Sequence, residues 1–134
     1  MAGDKLRLIV VTPERTLLDE PVASLRFPLF DGDVGILPGR LPMIGRLGSG
    51  ELHIVRSTGV ESYFVDGGFV QVLGPTVTLL TNRAILAKDL SVAEGEKQLA
   101  AALARHATTD EDVEAKYNDQ QRARHMIELA ERAH

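Results

Sequence analysis

The sequence of 134 residues contains no cysteine and no tryptophan, and aromatic residues make up only 4% of it. The missing cysteines exclude a disulfide framework and any thiolate metal site. Any core has to be built mainly from Leu, Val and Ile. No apolar run approaches the roughly 20 residues that a membrane-spanning helix needs, and no signal-peptide pattern precedes the first strand-like run. If the protein works at a membrane, we expect it to reach that membrane by binding another protein.

Basic residues are also too few for a nucleic-acid surface, because the net charge is −4 and such surfaces need a basic patch. The charge is unevenly distributed. Residues 1–88 carry nine acidic and nine basic side chains, whereas residues 89–134 carry ten acidic and six basic ones. All six prolines and eleven of the twelve glycines precede Asp89. We therefore predict two domains, a β-sandwich docking domain over 1–88 and a helical hairpin over 89–134.

Apolar and polar residues alternate repeatedly in the first segment. Leu25 and Phe27 share one face while Ser24 and Arg26 lie on the other, which is the period-two pattern of a half-buried strand. Many short strands with frequent turns favour two packed antiparallel sheets, although periodicity alone does not distinguish a sandwich from a barrel. The pattern predicts about ten strands, near residues 5–11, 16–18, 22–29, 33–37, 42–47, 51–56, 61–66, 69–73, 76–81 and 83–88.

The second segment is rich in residues that favour helix. Ser91 and Glu94 have the spacing of a capping box, which predicts a helix running to about His106. Thr108 and Glu111 repeat that spacing before a second amphipathic pattern. The short break between the two patterns predicts an antiparallel α-helical hairpin.

No arrangement of residues indicates intrinsic chemistry. The histidines at 53, 106, 125 and 134 lack metal-ligand spacing and are interpreted as solvated surface residues. No Gly-x-Ser-x-Gly elbow is present. Asp31-Gly32 is interpreted as a hairpin signal, and Asp66-Gly67-Gly68 as a turn between two strands. We predict no catalytic residue, no metal and no cofactor, so function has to come from protein contacts.

The segment from Phe30 to Met43 combines glycines and prolines with apolar residues, which is typical of a tight loop held against a sheet. Three ordered motifs are present: Val11-Thr12-Pro13-Glu14, Gly32-Asp33-Val34-Gly35-Ile36-Leu37-Pro38-Gly39-Arg40-Leu41-Pro42-Met43, and Asp66-Gly67-Gly68-Phe69. In this order and over nearly the whole chain, the sequence resembles the epsilon subunit of F-type (H⁺-transporting) ATP synthases.

This resemblance implies a flattened ten-stranded sandwich followed by a helical hairpin. It also implies a non-catalytic central-stalk subunit that couples proton-driven rotation of the c ring to ATP synthesis. Its partners would be the γ subunit and the c ring, with contact to the α/β head through the hairpin. The implied location is the cytoplasmic side of a bacterial membrane, as a peripheral protein. The implied contacts to the ring loops are Asp33, Arg40, Leu41 and Met43, with Arg40 replacing the family's usual histidine.

Some members of that family bind ATP through a motif at the start of the first helix. Here Ser91, Glu94 and Gly95 replace its Asp, Arg and Ala, so the resemblance predicts that nucleotide binding is absent or very weak. Arg122 and Arg124 form a local basic spot that is the predicted hairpin contact. The sequence leaves open whether the hairpin inhibits ATP hydrolysis and which ion drives rotation. The alternative hypothesis is a free-standing β-sandwich that binds a ligand or acts as a small enzyme.

Overall fold

The computed structural model describes residues 5–30, 32–36 and 42–133, and for residues 32–36 it describes the backbone alone. The chain divides into two compact units, Met1–Leu86 and Ala87–His134. The first unit consists of strands, and the second contains a short 3-10 helix at Ala87–Asp89 and two α-helices. The strands are β1 Leu6–Val11, β2 Thr16–Val22, β3 Ser24–Leu29, β4 Gly32–Ile36, β5 Met43–Arg56, β6 Gly59–Leu73, β7 Thr76–Leu80 and β8 Ala84–Leu86.

The strands follow the order β2-β1-β7-β6-β5-β3-β4, with β8 paired to β6. Every pairing is antiparallel except that of β1 with β7. The long β5–β6 hairpin is shared by two layers, because β7 pairs with the second half of β6 and β8 with its first half. Inward side chains from both layers form one buried core, which includes Leu8 of β1, Phe27 of β3, Ile54 of β5 and Leu79 of β7. The predicted sandwich is therefore confirmed.

The strand count differs from the predicted ten, because the described residues form eight strands. The segments predicted at 42–47 and 51–56 are two halves of β5, and those at 61–66 and 69–73 are two halves of β6. Gly67 and Gly68 adopt positive φ angles of 71° and 109°, conformations that glycine adopts without steric cost. They change the backbone direction without ending pairing, so the predicted turn at Asp66-Gly67-Gly68 lies inside one strand.

An ion-pair cluster joins strands β2, β5 and β6 of the sandwich. Arg56 at the end of β5 donates from Nε to Glu20 Oε1 on β2 at 2.6 Å and from Nη2 to Glu61 Oε1 on β6 at 3.0 Å. Burial acts to lower the pKa of Arg56, but the hydrogen bonds to both carboxylates outweigh it and raise that pKa above its ordinary value. The cluster links the edge strand β2 to the β5–β6 hairpin.

The second unit is the predicted pair of helices, α1 Val92–Ala104 and α2 Asp110–Ala133. The Ser91 hydroxyl accepts the Glu94 backbone N–H at 3.2 Å, which confirms the predicted cap of α1. The cap of α2 lies one residue later than predicted, because the Thr109 hydroxyl accepts the Asp112 N–H at 3.0 Å. Hydrogen bonds from Thr109 and Thr108 lower the pKa of the Asp112 carboxyl. Each helix therefore begins with a hydroxyl cap.

The helices pair in antiparallel fashion through one close approach and one ion pair. A Cβ atom at Gly95 of α1 would lie 2.7 Å from Ile127 Cγ1 of α2. Near the other end of α1, Arg105 Nη1 lies 2.6 Å from Asp119 Oδ2 of α2. Gly95 thus has a structural role, which is to let α2 pack close to α1.

We expect Gly95→Ala to destabilise the hairpin in the native background and to stabilise it in an Ile127→Ala background. Alanine gains about 1 kcal/mol of helix propensity over glycine, but overpacking costs about 1–3 kcal/mol. In the Ile127→Ala background Cγ1 is absent, so overpacking no longer opposes the gain in helix propensity from alanine at position 95. Urea unfolding followed by far-ultraviolet circular dichroism measures all four members of the cycle. Equal effects of Gly95→Ala in both backgrounds would contradict the close approach.

Candidate protein-contact surface

Several large apolar side chains are exposed on the outward side of one layer of the sandwich. Ile44 is 77% exposed, Leu73 60%, Phe69 58% and Leu80 51%. Their neighbours Val70, Val72 and Leu79 point inward and are buried, because successive side chains on a strand alternate between faces. We call nine of the outward residues the outer face: Ile9, Val11, Ile44, Arg46, Phe69, Gln71, Leu73, Thr78 and Leu80. The ion pair of Arg7 and Asp19 lies on the same side of the layer and borders this face beside Ile9.

Strand register places eight of these residues in two rows that cross four strands, and Leu73 lies next to the second row, opposite Thr76. In the first row Val11 of β1 pairs with Leu80 of β7, Leu80 with Phe69 of β6, and Phe69 with Arg46 of β5. The second row contains Ile9, Thr78, Gln71 and Ile44 in the same strand sequence. Neighbouring side chains within a row can contact each other directly. The outer face is therefore a continuous surface with mostly apolar character.

Two depressions lie on the outer face. One of about 230 Å³ is lined by Ile44, Phe69, Val70, Gln71, Thr78 and Leu80. The other, of about 330 Å³, is lined by Pro42, Met43, Ile44, Gln71, Val72 and Leu73. Neither lining includes an ionisable side chain, so these depressions suit apolar side chains of a protein partner better than a polar metabolite.

An aromatic ring and a guanidinium stack at one end of the first row. The Arg46 Cζ atom lies 4.5 Å from the centroid of the Phe30 ring, within the range of a cation–π contact. Phe30 is 60% exposed, and its backbone N–H donates to the Arg46 carbonyl at 2.8 Å. The row thus presents a cation with Phe30 on one side and Phe69 on the other.

The four residues predicted to contact the ring differ in what the structure describes of them. Asp33 lies on β4, where its backbone pairs with Pro28 of β3, and Arg40 and Leu41 lie outside the described residues. Met43 begins β5, but it is half-buried and packs against the sandwich core. The more exposed side chain is that of its neighbour Ile44. Sequence reasoning missed the outer face. The sequence signal for this face was a pair of adjacent apolar residues within one strand, as in Leu79-Leu80.

In the hairpin, the two arginines predicted as a contact have different surroundings. Arg122 Nη1 binds Asp119 Oδ1 at 2.7 Å, and that carboxylate also binds Arg105, so Arg122 belongs to an ion-pair cluster joining α1 and α2. Arg124 is exposed and donates to Gln121 Oε1 at 3.1 Å. Of the two, Arg124 is the more available to a partner.

His53 is not the solvated surface residue that the sequence suggested. Its Nδ1 lies 3.2 Å from Ser62 Oγ and 3.3 Å from Glu51 Oε2, and its side chain is only 29% exposed. The Ser62 hydroxyl donates to Glu51 at 2.5 Å. In a catalytic triad the carboxylate binds the ring nitrogen opposite to the one that activates the serine. Here one carboxylate oxygen engages both residues, so the cluster does not activate Ser62 as a nucleophile.

Within the described parts of the chain, no group of three or more His, Cys, Asp or Glu side chains could hold a metal ion. Among the described helices, none combines the length and the apolarity needed to cross a bilayer. A sandwich with an exposed apolar face and an attached helical hairpin defines a class of protein, a subunit that acts by contacting other chains.

Comparison with known proteins identifies the family. The profile described as "ATP synthase, Delta/Epsilon chain, beta-sandwich domain" matches residues 5–87. The ATP synthase epsilon chain of Rhodopirellula baltica is 47% identical over 122 residues, which cover 91% of this chain and 95% of that protein. The epsilon chain of Granulibacter bethesdensis is 34% identical over 128 residues, covering 92% and 95% respectively. The chain belongs to the ATP synthase epsilon-chain family, so it is a non-catalytic central-stalk subunit of a membrane-associated complex.

Solved structures share the fold. A chain in the mitochondrial ATP synthase of Euglena gracilis superposes with a TM-score of 0.78 at 24% identity, covering 99% of this chain and 83% of that one. A chain in the central stalk and c ring of the Tetrahymena thermophila enzyme has the same TM-score at 15% identity, with 97% and 99% coverage. At these identities the similarity establishes the sandwich-plus-hairpin architecture.

Proposed function

We propose that residues 1–88 dock on the γ subunit through the outer face and contact the c ring through the segment that contains Asp33, Arg40, Leu41 and Met43. Residues 89–134 form the helical hairpin, whose contacts lie on γ or the α/β head. In this arrangement the chain bridges γ and the ring and transmits rotation between them. The observation that carries the proposal is the continuous apolar outer face, which a monomer would leave in water.

The outer face has the composition of a protein interface. Interface cores are depleted in charge and enriched in aromatic residues and arginine, and this face holds Phe69 and Arg46 among Ile, Leu and Val. Isolated exposed apolar residues need no explanation, but side chains that neighbour one another across four strands form a patch of the kind that marks a binding site. Docking on a partner removes that patch from water.

The ring contact rests on the sequence motif and on the position of β4. This strand ends the strand order, so among the described residues it pairs with β3 alone, and an edge strand of this kind can be contacted by a partner. Asp33 is its second residue. The resemblance to the family gives this acidic position a contact with the polar loops of the ring.

We propose that the chain binds no nucleotide. Ser91 and Glu94 serve as the cap and first turn of α1, and Gly95 packs against Ile127. Glu94 places a negative charge where the family's arginine would meet phosphate. We expect calorimetric titration with ATP and Mg²⁺ to give no heat of binding at millimolar concentration. Glu94→Arg, which restores the family's arginine, is the matched variant. Saturable binding of ATP by the native chain would contradict the proposal.

The negative net charge of the hairpin favours weak inhibition of ATP hydrolysis by this segment, or none. Residues 89–134 account for the whole net charge of −4, and the catalytic subunits of the family present an acidic surface, which repels such a segment. Arg122 is already paired with Asp119. The proposed location is the cytoplasmic side of a bacterial membrane, reached through the ring and γ.

Titration with the purified γ subunit from the same source tests the proposed function. We expect saturable one-to-one binding of the full-length chain, measured by calorimetry. The alternative, a free-standing ligand-binding sandwich, predicts no affinity for γ and a small molecule that raises the melting temperature. Absence of binding between two folded proteins would overturn the docking proposal.

A further inference from the structure

Arg46 occupies an unusual position for a charged residue. It is exposed, lies over Phe30 at 4.5 Å, and pairs through its strand with Phe69. The other members of the outer face are apolar or uncharged. A partner that covers this face therefore surrounds a guanidinium with apolar groups on several sides.

Four other arginines of the first unit show a different arrangement. Arg7 pairs with Asp19, Arg26 with Glu51, Arg56 with Glu20 and Glu61, and Arg83 with Asp66. Among the residues that the structure describes, no carboxylate forms an ion pair with Arg46. The recorded side-chain contact of its guanidinium within the described residues is the one with the Phe30 ring.

Covering this guanidinium without a counter-charge would be unfavourable, because a desolvated and unpaired charge opposes association. The contact with the Phe30 ring does not replace the oxygen acceptors that the five N–H donors of a guanidinium require. A carboxylate matches the N–H edge of a guanidinium with two parallel hydrogen bonds. An aromatic ring on the partner would leave those donors unsatisfied.

We propose that the surface of γ that docks on the outer face carries an Asp or Glu side chain that binds Arg46, and that this pair sets the orientation of docking. The inference rests on the proposed function, since it names the chemistry of the partner at the same surface. Apolar contacts can tolerate sliding, whereas a bidentate ion pair fixes one register.

The test measures the affinity of full-length variants for purified γ over a range of salt concentrations. We expect Arg46→Met to weaken binding about 10- to 100-fold, as the loss of a hydrogen-bonded charge predicts, and to flatten the salt dependence. Arg46→Lys keeps the charge but loses the planar fork, so an intermediate loss is expected. Arg26→Met removes a partly exposed guanidinium from β3, outside the outer face, and serves as the matched control with unchanged affinity.

The outcomes separate the two proposals. If the native chain binds γ and Arg46→Met binds equally or more tightly, the carboxylate is absent and the apolar face alone accounts for docking. If the native chain does not bind γ, the proposed function fails and this inference fails with it. Unchanged melting temperatures of the exposed-site variants establish that any loss comes from the interface and not from unfolding.

Discussion

Gly68→Ala is expected to destabilise the sandwich unit by about 4 kcal/mol. A Cβ atom at Gly68 would lie 1.8 Å from the carbonyl oxygen of Leu80 and 2.9 Å from the Thr81 Cα, and the φ angle is +109°. The positive φ costs about 1–2 kcal/mol for a residue with a Cβ. The clash with backbone atoms adds about 1–3 kcal/mol or more, because neither β6 nor β7 can move without losing its pairing.

The measurement is thermal unfolding of the full-length chain, in which this change should lower the melting temperature by roughly 15 °C or more. Gly74→Ala is the matched control. Gly74 also has a positive φ, 60°, but nothing lies within 4 Å of a Cβ placed there. We expect only the cost of the backbone conformation, about 1–2 kcal/mol. Similar losses at both positions would show that β7 does not approach β6 as described.

Leu80→Glu is expected to weaken binding to γ by at least about 100-fold, which corresponds to about 3 kcal/mol. Leu80 lies between Val11 and Phe69 in the first row of the outer face, and central apolar residues contribute most to an interface. A carboxylate there has to be desolvated on docking. Because Leu80 is 51% exposed in the isolated chain, the substitution should leave the fold largely intact.

Val60→Glu is the control for this prediction. Val60 is 62% exposed and lies near the start of β6, about 30 Å of strand from Phe69. The Val60→Glu substitution introduces the same charge as Leu80→Glu at an exposed apolar position outside the outer face. Equal loss of affinity in both variants would indicate a general effect of added negative charge. Full affinity in Leu80→Glu would exclude the outer face as the docking surface.

Local patterns were sufficient to predict the element types. Alternation in segments such as Leu52 and Ile54 identifies strands, and the spacing of Ser91 and Glu94 identifies the start of α1. Strand ends were less predictable, because glycines can either end a strand or bend it. Gly67 and Gly68 lie within β6, since β5 pairs with residues on both sides of Gly67. That distinction depends on tertiary pairing, which the local sequence does not contain.

The outer face was not predicted for a related reason: adjacent apolar residues indicate that both sides of a strand are apolar, but not which side is buried. An apolar residue such as Phe69 beside buried Val70 gives no sign of which side chain faces inward until the register is known. A one-residue shift exchanges the two faces of a strand. The predicted contact residues came instead from a motif, and Arg40 and Leu41 of that motif lie outside the described residues. The described motif residue Met43 adjoins the outer face, because it precedes Ile44 on β5 and lines the same depression.

Site-specific photo-crosslinking in the assembled ATP synthase tests the central claim most directly. A photoreactive amino acid at Thr78, in the second row of the outer face, is predicted to crosslink to γ, while the same group at Val60 is predicted not to do so. Mass spectrometry of the crosslinked product identifies the partner. A product with γ at residue 78 alone would establish the docking surface. A product with γ at residue 60 and none at residue 78 would contradict the account.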